Sequence, residues 1–194
     1  MAATEDKPTQ ILNAAVRVFA AQGYEATRVG DIAREAGVAY GLVYHYYGSK
    51  DAVLEAVFRE SWGRLLAAVA QADEAAGDAS EQLSLVVKIV LRSWRDEPDL
   101  VRVLVREVTR SPHIQDELDE IGQAFATLQR IVERGQAEGT FRPELDARLV
   151  AWMLYGALEE VLTGWALGTL PDDGRTVAAA EREIVATFVR GLRA

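Results

Sequence analysis

The chain contains no cysteine. Disulfides, thiolate nucleophiles, iron–sulfur clusters and Cys-bound zinc are therefore excluded. Histidine is almost as scarce: His45 and His113 are the only two, too few for a His-rich metal site. No run of about 18 apolar residues occurs, so no membrane-spanning helix is expected. Strand-like alternation is missing, as are low-complexity tracts and repeats of about 20–50 residues. No G-x-S-x-G elbow, P-loop or metal-ligand cluster is present, and Gly48-Ser49-Lys50 lacks the preceding glycine of a phosphate cradle. We expect no enzyme, no catalytic residue, no metal and no resident cofactor. The opening MAATEDKPTQ is polar and acidic, unlike a secretory or transit leader, which gives a cytoplasmic expectation.

What is present suits a globular protein: 194 residues, 49% hydrophobic and 26% charged, with enough apolar surface to offset chain entropy. The net charge of −9 at first argues against nucleic acid. Its distribution argues otherwise. Of the 21 basic and 30 acidic residues, five of each fall in residues 1–50 (Lys7, Arg17, Arg28, Arg34, Lys50; Glu5, Asp6, Glu25, Asp31, Glu35). The remaining 16 and 25, in 51–194, carry the whole −9. A neutral N-terminal quarter on an acidic body is compatible with a small nucleic-acid module.

Helical periodicity runs throughout and predicts an all-α fold of about nine helices. Ile11, Leu12, Ala15, Val18 and Phe19 mark the first, ended by Gly23. Thr27 is the expected N-cap of a short helix with Val29, Ile32, Ala33 and Ala36, and a third runs from about Ala39 to His45. After Gly48-Ser49 comes a long helix with Leu54, Phe58, Trp62, Leu65 and Val69 on one face. Leu83, Val86, Val90 and Trp94 mark a fifth, and Pro98 begins a sixth. Ser111-Pro112 is the expected start of a seventh, with Ile114, Leu118, Ile121, Phe125, Leu128 and Ile131 as its stripe. Asp146 caps an eighth that is apolar nearly all round and must be buried by the core or by a second subunit. A ninth follows the turn Pro171–Gly174. The break near residue 48 divides the chain into a three-helix head, 1–50, and a helical body, 51–194.

The informative stretch is TRVGDIAREAGVAYGLVYHYYGSK, residues 27–50. Helix, small-residue turn and short helix make a helix-turn-helix plan. Ile32 and Ala33 face inward, and Ala36-Gly37 keeps the turn small. Val43 packs the second helix back and leaves Ala39, Tyr40, Gly41, Tyr44 and His45 outward. An exposed short helix rich in Tyr and His suits a DNA groove.

The pattern Ile32-Ala33-x-x-Ala36-Gly37-Val38-Ala39-x-Gly41-x-x-Tyr44-x-Tyr46-Tyr47-x-x-Lys50 resembles the TetR family of one-component transcriptional regulators. The resemblance covers about residues 10–60. It implies that Thr27 and Arg28 grip phosphate at a helix N-terminus, and that Tyr44, Tyr46 and Lys50 hold further phosphates. It brings Ala39, Tyr40, Gly41 and His45 near base edges. The sequence departs from the family in having Tyr40 where Lys is common, Leu42 where Thr is common, and Ala39 near a usual Ser or Thr. Gly30 stands inside a helix where the family often has a charge. With neither Arg nor Asn on the reading helix, the strongest bidentate base contacts are unavailable. Specificity should then lean on thymine methyls, Tyr and His hydrogen bonds, and DNA shape.

The resemblance also implies a body that binds a hydrophobic effector and forms a homodimer. Expected lining residues are Leu91, Trp94, Leu104, Arg106, Val108, Arg110, Phe125, Leu128, Trp152 and Tyr155. Plain core packing is the alternative for any one of them. Leu149, Gly156, Glu160, Thr163, Ile184 and Phe188 are the expected dimer seam, with Gly156 and Gly164 allowing close helix approach. Glu159 and Glu160 need a reason, with Arg148 or Arg190 as candidate partners. Arg102, Arg106 and Arg110 recur every four residues and stack on one face, where they need an anion. The acidic run Asp116, Glu117, Asp119, Glu120 or a ligand phosphate would serve.

The stretch Glu107–Ser111 and the run Asp146-x-Arg148-Leu149…Tyr155-Gly156-x-x-Glu159-Glu160-x-x-x-x-Trp165 are similar to TetR-type repressors of fatty-acid degradation that respond to long-chain acyl-CoA. The expectation is a homodimeric repressor on a palindromic operator, released by a hydrophobic effector such as fatty acyl-CoA. A multidrug-sensing repressor of an efflux gene and a ligand-binding module with a non-functional head are the alternatives.

Overall fold

The computed structural model describes residues 6–107 and 118–194, with side chains described from residue 122 in the second stretch. Nine α-helices occur among the described residues: α1 (Lys7–Gln22), α2 (Val29–Ala36), α3 (Tyr40–Tyr47), α4 (Lys50–Glu74), α5 (Ala79–Asp96), α6 (Pro98–Glu107), α7 (Leu118–Ala137), α8 (Ala147–Ala166) and α9 (Gly174–Ile184). The last continues through a π-helical turn, Val185–Val189, and a 3-10 turn, Arg190–Leu192. The expected start of the seventh helix at Ser111-Pro112, and its acidic run, lie outside the described residues or side chains.

Side-chain caps set several helix starts. Asp6 accepts the amide of Thr9 (2.9 Å) ahead of Pro8 in the first turn of α1. Ser49 Oγ accepts the amide of Ala52 (3.0 Å) at the head of α4. Asp78 and Glu81 close a reciprocal capping box on α5. Asp146 and Asp173 cap α8 and α9. The cap of α2 corrects the sequence expectation. Arg28, not Thr27, occupies that position, and the Asp31 carboxylate accepts its N–H (3.0 Å). Thr27 is buried and donates its hydroxyl to the Gly23 carbonyl (2.7 Å). At the far end Gly37 takes φ 63°, and Val38 N–H and Gly37 N–H return to Ala33 and Arg34 in a Schellman turn.

The chain folds as two compact units. The first comprises α1, α2, α3, the start of α4 to Ser61, and α6 from Asp99. Ile11, Ala15, Phe19, Ile32, Val43, Leu54 and Phe58 form its core. The second unit runs from Trp62 to Pro98 and resumes with α7, α8 and α9. There α7 packs on α8, while α5 packs on α7, α8 and α9. Gly135 of α7 admits the ring of Phe141. A Cβ at this position would overlap that ring and lie 2.8 Å from the Ala79 methyl. The Thr140–Arg142 loop is stitched to the C-terminal turn by Arg142 N–H to Leu192 O (2.9 Å) and Ala194 N–H to Thr140 O (3.2 Å). Arg134 ties α7 to Asp73 (2.8 Å) and to Gln82. All four tryptophans belong to the second unit, and five of the six tyrosines to the first.

Helix α8 is buried by the chain on one side only. Ala147, Val150, Ala151, Leu154, Leu158 and Trp165 are buried by the chain itself. Leu149 (58% exposed), Trp152 and Met153 are not. Gly164 also serves the chain's own turn, since a Cβ there would strike the Leu170 side chain, whereas Gly156 is open.

Candidate nucleic-acid interface and effector-binding body

Helix α3 is eight residues long and buries one side chain, Val43. Ala39, Tyr40 (56% exposed), Gly41, Tyr44, His45 and Tyr46 are exposed. Tyr40 and Tyr44, one turn apart, stand with ring centroids 5.1 Å apart, and the Tyr40 hydroxyl donates to that of Tyr44 (3.1 Å). This bond raises the pKa of Tyr40 above the ordinary phenol value. The Tyr40 ring also lies over Gly30, 3.8 Å from where a Cβ would stand. A compact residue at 30 thus lets this ring rest on α2.

The platform beneath α3 is fixed by polar ties. Tyr47 donates to the Pro8 carbonyl (3.1 Å), and its own phenol is pushed up to about 12, mainly by burial and then by Glu60 and Asp6. Lys50 donates to the Tyr24 carbonyl (2.8 Å) and sits 4.1 Å from the centroid of the Tyr24 ring. The Tyr24 hydroxyl donates to Asp51, and burial followed by this bond holds its pKa well above the ordinary range. The charge of Glu107, at the end of α6, acts on the same phenol. Sequence reasoning missed this Tyr24–Lys50–Asp51 knot, because a lysine's carbonyl partners leave no periodic signal. Lys50 is therefore a staple of the α1–α2 turn in addition to any DNA role. Arg28 is exposed, whereas Thr27 turns its hydroxyl inward.

In the second unit Leu91, Trp94 and Leu128 are buried, and Phe125 and Tyr155 are half-buried. Phe125 stacks on Trp152 (centroids 4.4 Å, 16°) and meets Tyr155 (4.6 Å). Burial, then Glu159, pushes the Tyr155 phenol up to about 12. Trp152 is 54% exposed and shares the outer face of α8 with Leu149, Met153, Gly156, Glu160 and Thr163. Ile184 is buried within its own unit and Phe188 is half-buried. Neither Glu159 nor Glu160 pairs with a cation among the described residues, so neither Arg148 nor Arg190 serves as partner. The Glu159 carboxyl lies above the usual range through burial and then the charge of Glu160. Leu104 and Arg106 belong to the first unit, half-buried and exposed respectively, and Val108 and Arg110 lie outside the described residues. Within the arginine row, Arg102 pairs with Asp99 of its own helix (2.9 Å). No group of His, Asp and Glu suited to a metal occurs among the described residues, and no helix there is long and apolar enough to cross a membrane.

Residues 11–57 match the family described as "Bacterial regulatory proteins, tetR family", and residues 58–180 match "YsiA-like protein, C-terminal region". The chain belongs to the TetR family. It is a transcriptional regulator of that family, with a helix-turn-helix DNA-binding head and a helical body. This TetR-family regulator is 28% identical over 188 residues to the fatty acid metabolism regulator protein of Bacillus subtilis, covering 96% of this chain and 95% of that one. Among solved structures, it is similar to the fatty acid degradation regulator FadR of Bacillus halodurans (TM-score 0.82, 30% identity, 95% and 98% of the two chains covered). It is also similar to FadR of Bacillus subtilis in complex with stearoyl-CoA (TM-score 0.83, 26% identity, 95% and 98%).

Proposed function

We propose that the protein is a homodimeric repressor that reads a palindromic operator with α3 and releases it on binding a long-chain acyl-CoA. The observation that carries the reading is the match, along 95% of the chain, to a FadR solved with stearoyl-CoA. The exposed Tyr40, Tyr44, His45 and Tyr46 supply polar rings for a groove, and Arg28 with Lys50 the cations for phosphate. The apolar outer face of α8 (Leu149, Trp152, Met153) supplies the seam for a second copy. Buried Leu91, Trp94 and Leu128 with half-buried Phe125 and Tyr155 suit an acyl chain, which gains about 0.8 kcal/mol per buried methylene.

Operator binding requires the two reading helices about 34–36 Å apart, or a multiple of that. An effector that binds better to another spacing releases DNA by population shift. Fluorescence anisotropy on the DNA upstream of the protein's own gene, titrated with stearoyl-CoA, tests this. Tight, salt-sensitive binding abolished by the acyl-CoA is expected. Binding indifferent to it would discard the effector. Absence of DNA binding would discard the repressor and leave a ligand-binding module. The unpaired Glu159, beside Tyr155, favours a lipophilic cation as the second reading, which the same titration with a quaternary ammonium dye examines.

A further inference from the structure

Trp165 lies at the C-terminal end of the inward stripe of α8, 2% exposed, with its ring centroid 6.0 Å from that of Trp94 on α5. Its Nε1–H is fully buried and has no acceptor; among the described residues no other fully buried side-chain nitrogen or oxygen lacks a partner. The other buried hydroxyls and amides are satisfied. Thr127 donates to Gln123 O, Ser61 to Val57 O, and Gln82 to Ala75 O. An indole is placed in a packed interior at a penalty unless its N–H finds an acceptor. A phenylalanine would fill the same layer with no such penalty. Beyond Ser80 and Gln82 in the first turn of α5, the buried residues Leu83, Val87, Leu91, Leu154 and Leu158 of α5 and α8 are apolar. The acceptor suited to this interior is therefore neutral and carried on an otherwise apolar molecule, because a charged oxygen would lose too much hydration there.

Building on the effector class given above, we propose that Trp165 Nε1–H is the hydrogen-bond donor to the thioester carbonyl of the acyl-CoA. That carbonyl is the neutral acceptor nearest the hydrocarbon chain. Trp165 thereby reads the head of the chain from between α5 and α8, and separates acyl thioesters from plain hydrocarbons that would fill the same space.

The test compares stearoyl-CoA with its thioether analogue, S-stearyl-CoA, which keeps the chain and the phosphates and lacks the carbonyl. Calorimetric titration of the full-length protein should show the thioether binding roughly tenfold more weakly. In W165F the two ligands should bind equally, while the Tm of the unliganded variant is no lower than that of the wild type. The indole proton resonance that disappears in W165F should shift downfield with stearoyl-CoA and far less with the thioether. Equal affinity of the wild type for both ligands overturns the role of Trp165 and leaves the acyl-CoA reading standing. Failure of both ligands to bind overturns that reading and this inference with it. A W165F protein of lowered Tm that still prefers the thioester would assign Trp165 to packing alone.

Discussion

Helices α3 and α8 both leave aromatic rings in solvent, but they offer different chemistry. Helix α3 shows tyrosines and a histidine, rings with donors and acceptors at their tips. Helix α8 shows leucine, tryptophan and methionine around an open glycine. A face with polar tips keeps its hydrogen bonds with water until a polar partner replaces them. An apolar face gains from any close-fitting cover, and a second protein surface supplies the most. The contrast teaches that exposure alone assigns no partner; the atoms at the ends of the exposed side chains do.

The sharpest way to break this contrast is a charge on the apolar face. Met153→Glu should cost the dimer about 3 kcal/mol or more, because the carboxylate would be buried unpaired. We expect a monomer by light scattering, unchanged helical circular dichroism, and operator affinity down by about 100-fold. A persistent dimer would remove α8 from the seam. Lys50→Ala comes next. Losing the staple on the Tyr24 carbonyl should lower stability by about 1 kcal/mol in urea unfolding. If Lys50 also meets phosphate, operator and non-operator DNA weaken alike and the salt slope becomes shallower by about 0.9. An unchanged slope would confine Lys50 to the knot.

On the polar face, Tyr44→Phe removes the exposed hydroxyl expected to hold a backbone phosphate. Operator and non-operator affinity should both fall by about 1 kcal/mol, as anisotropy on both DNAs would show. The smallest effect concerns Glu159. Burial raises its carboxyl above the usual 4.5, so the folded chain keeps a proton that the unfolded chain releases. Stability therefore falls as pH rises from about 4.5 through the raised value. Glu159→Gln should abolish that slope and add only a few tenths of a kcal/mol at pH 7, since the group is partly solvated. Urea midpoints at pH 4.5 and 7 measure it.

Much of the fold could be read from residues with one local meaning. Asp146 caps α8 where an acceptor ahead of an apolar stripe should, and Pro98 opens α6. The outward set on α3 followed from Val43 and the turn at Gly37. What escaped depends on choices between competing partners. Thr27 and Arg28 both precede α2, and Thr27 was withdrawn from the cap by the Gly23 carbonyl four residues back. Periodicity showed α8 to be apolar, but the chain covers only one of its sides. Helix α6 joins the first unit through packing between segments about 40 residues apart, which no local pattern encodes.

The division of aromatic residues between the two units has an optical consequence. With every tryptophan in the second unit and five of six tyrosines in the first, each unit carries its own chromophore. Red-edge excitation selects tryptophan and so follows the body alone, while tyrosine absorption is dominated by the head. A denaturation curve recorded in both would show whether the two units melt together or in turn.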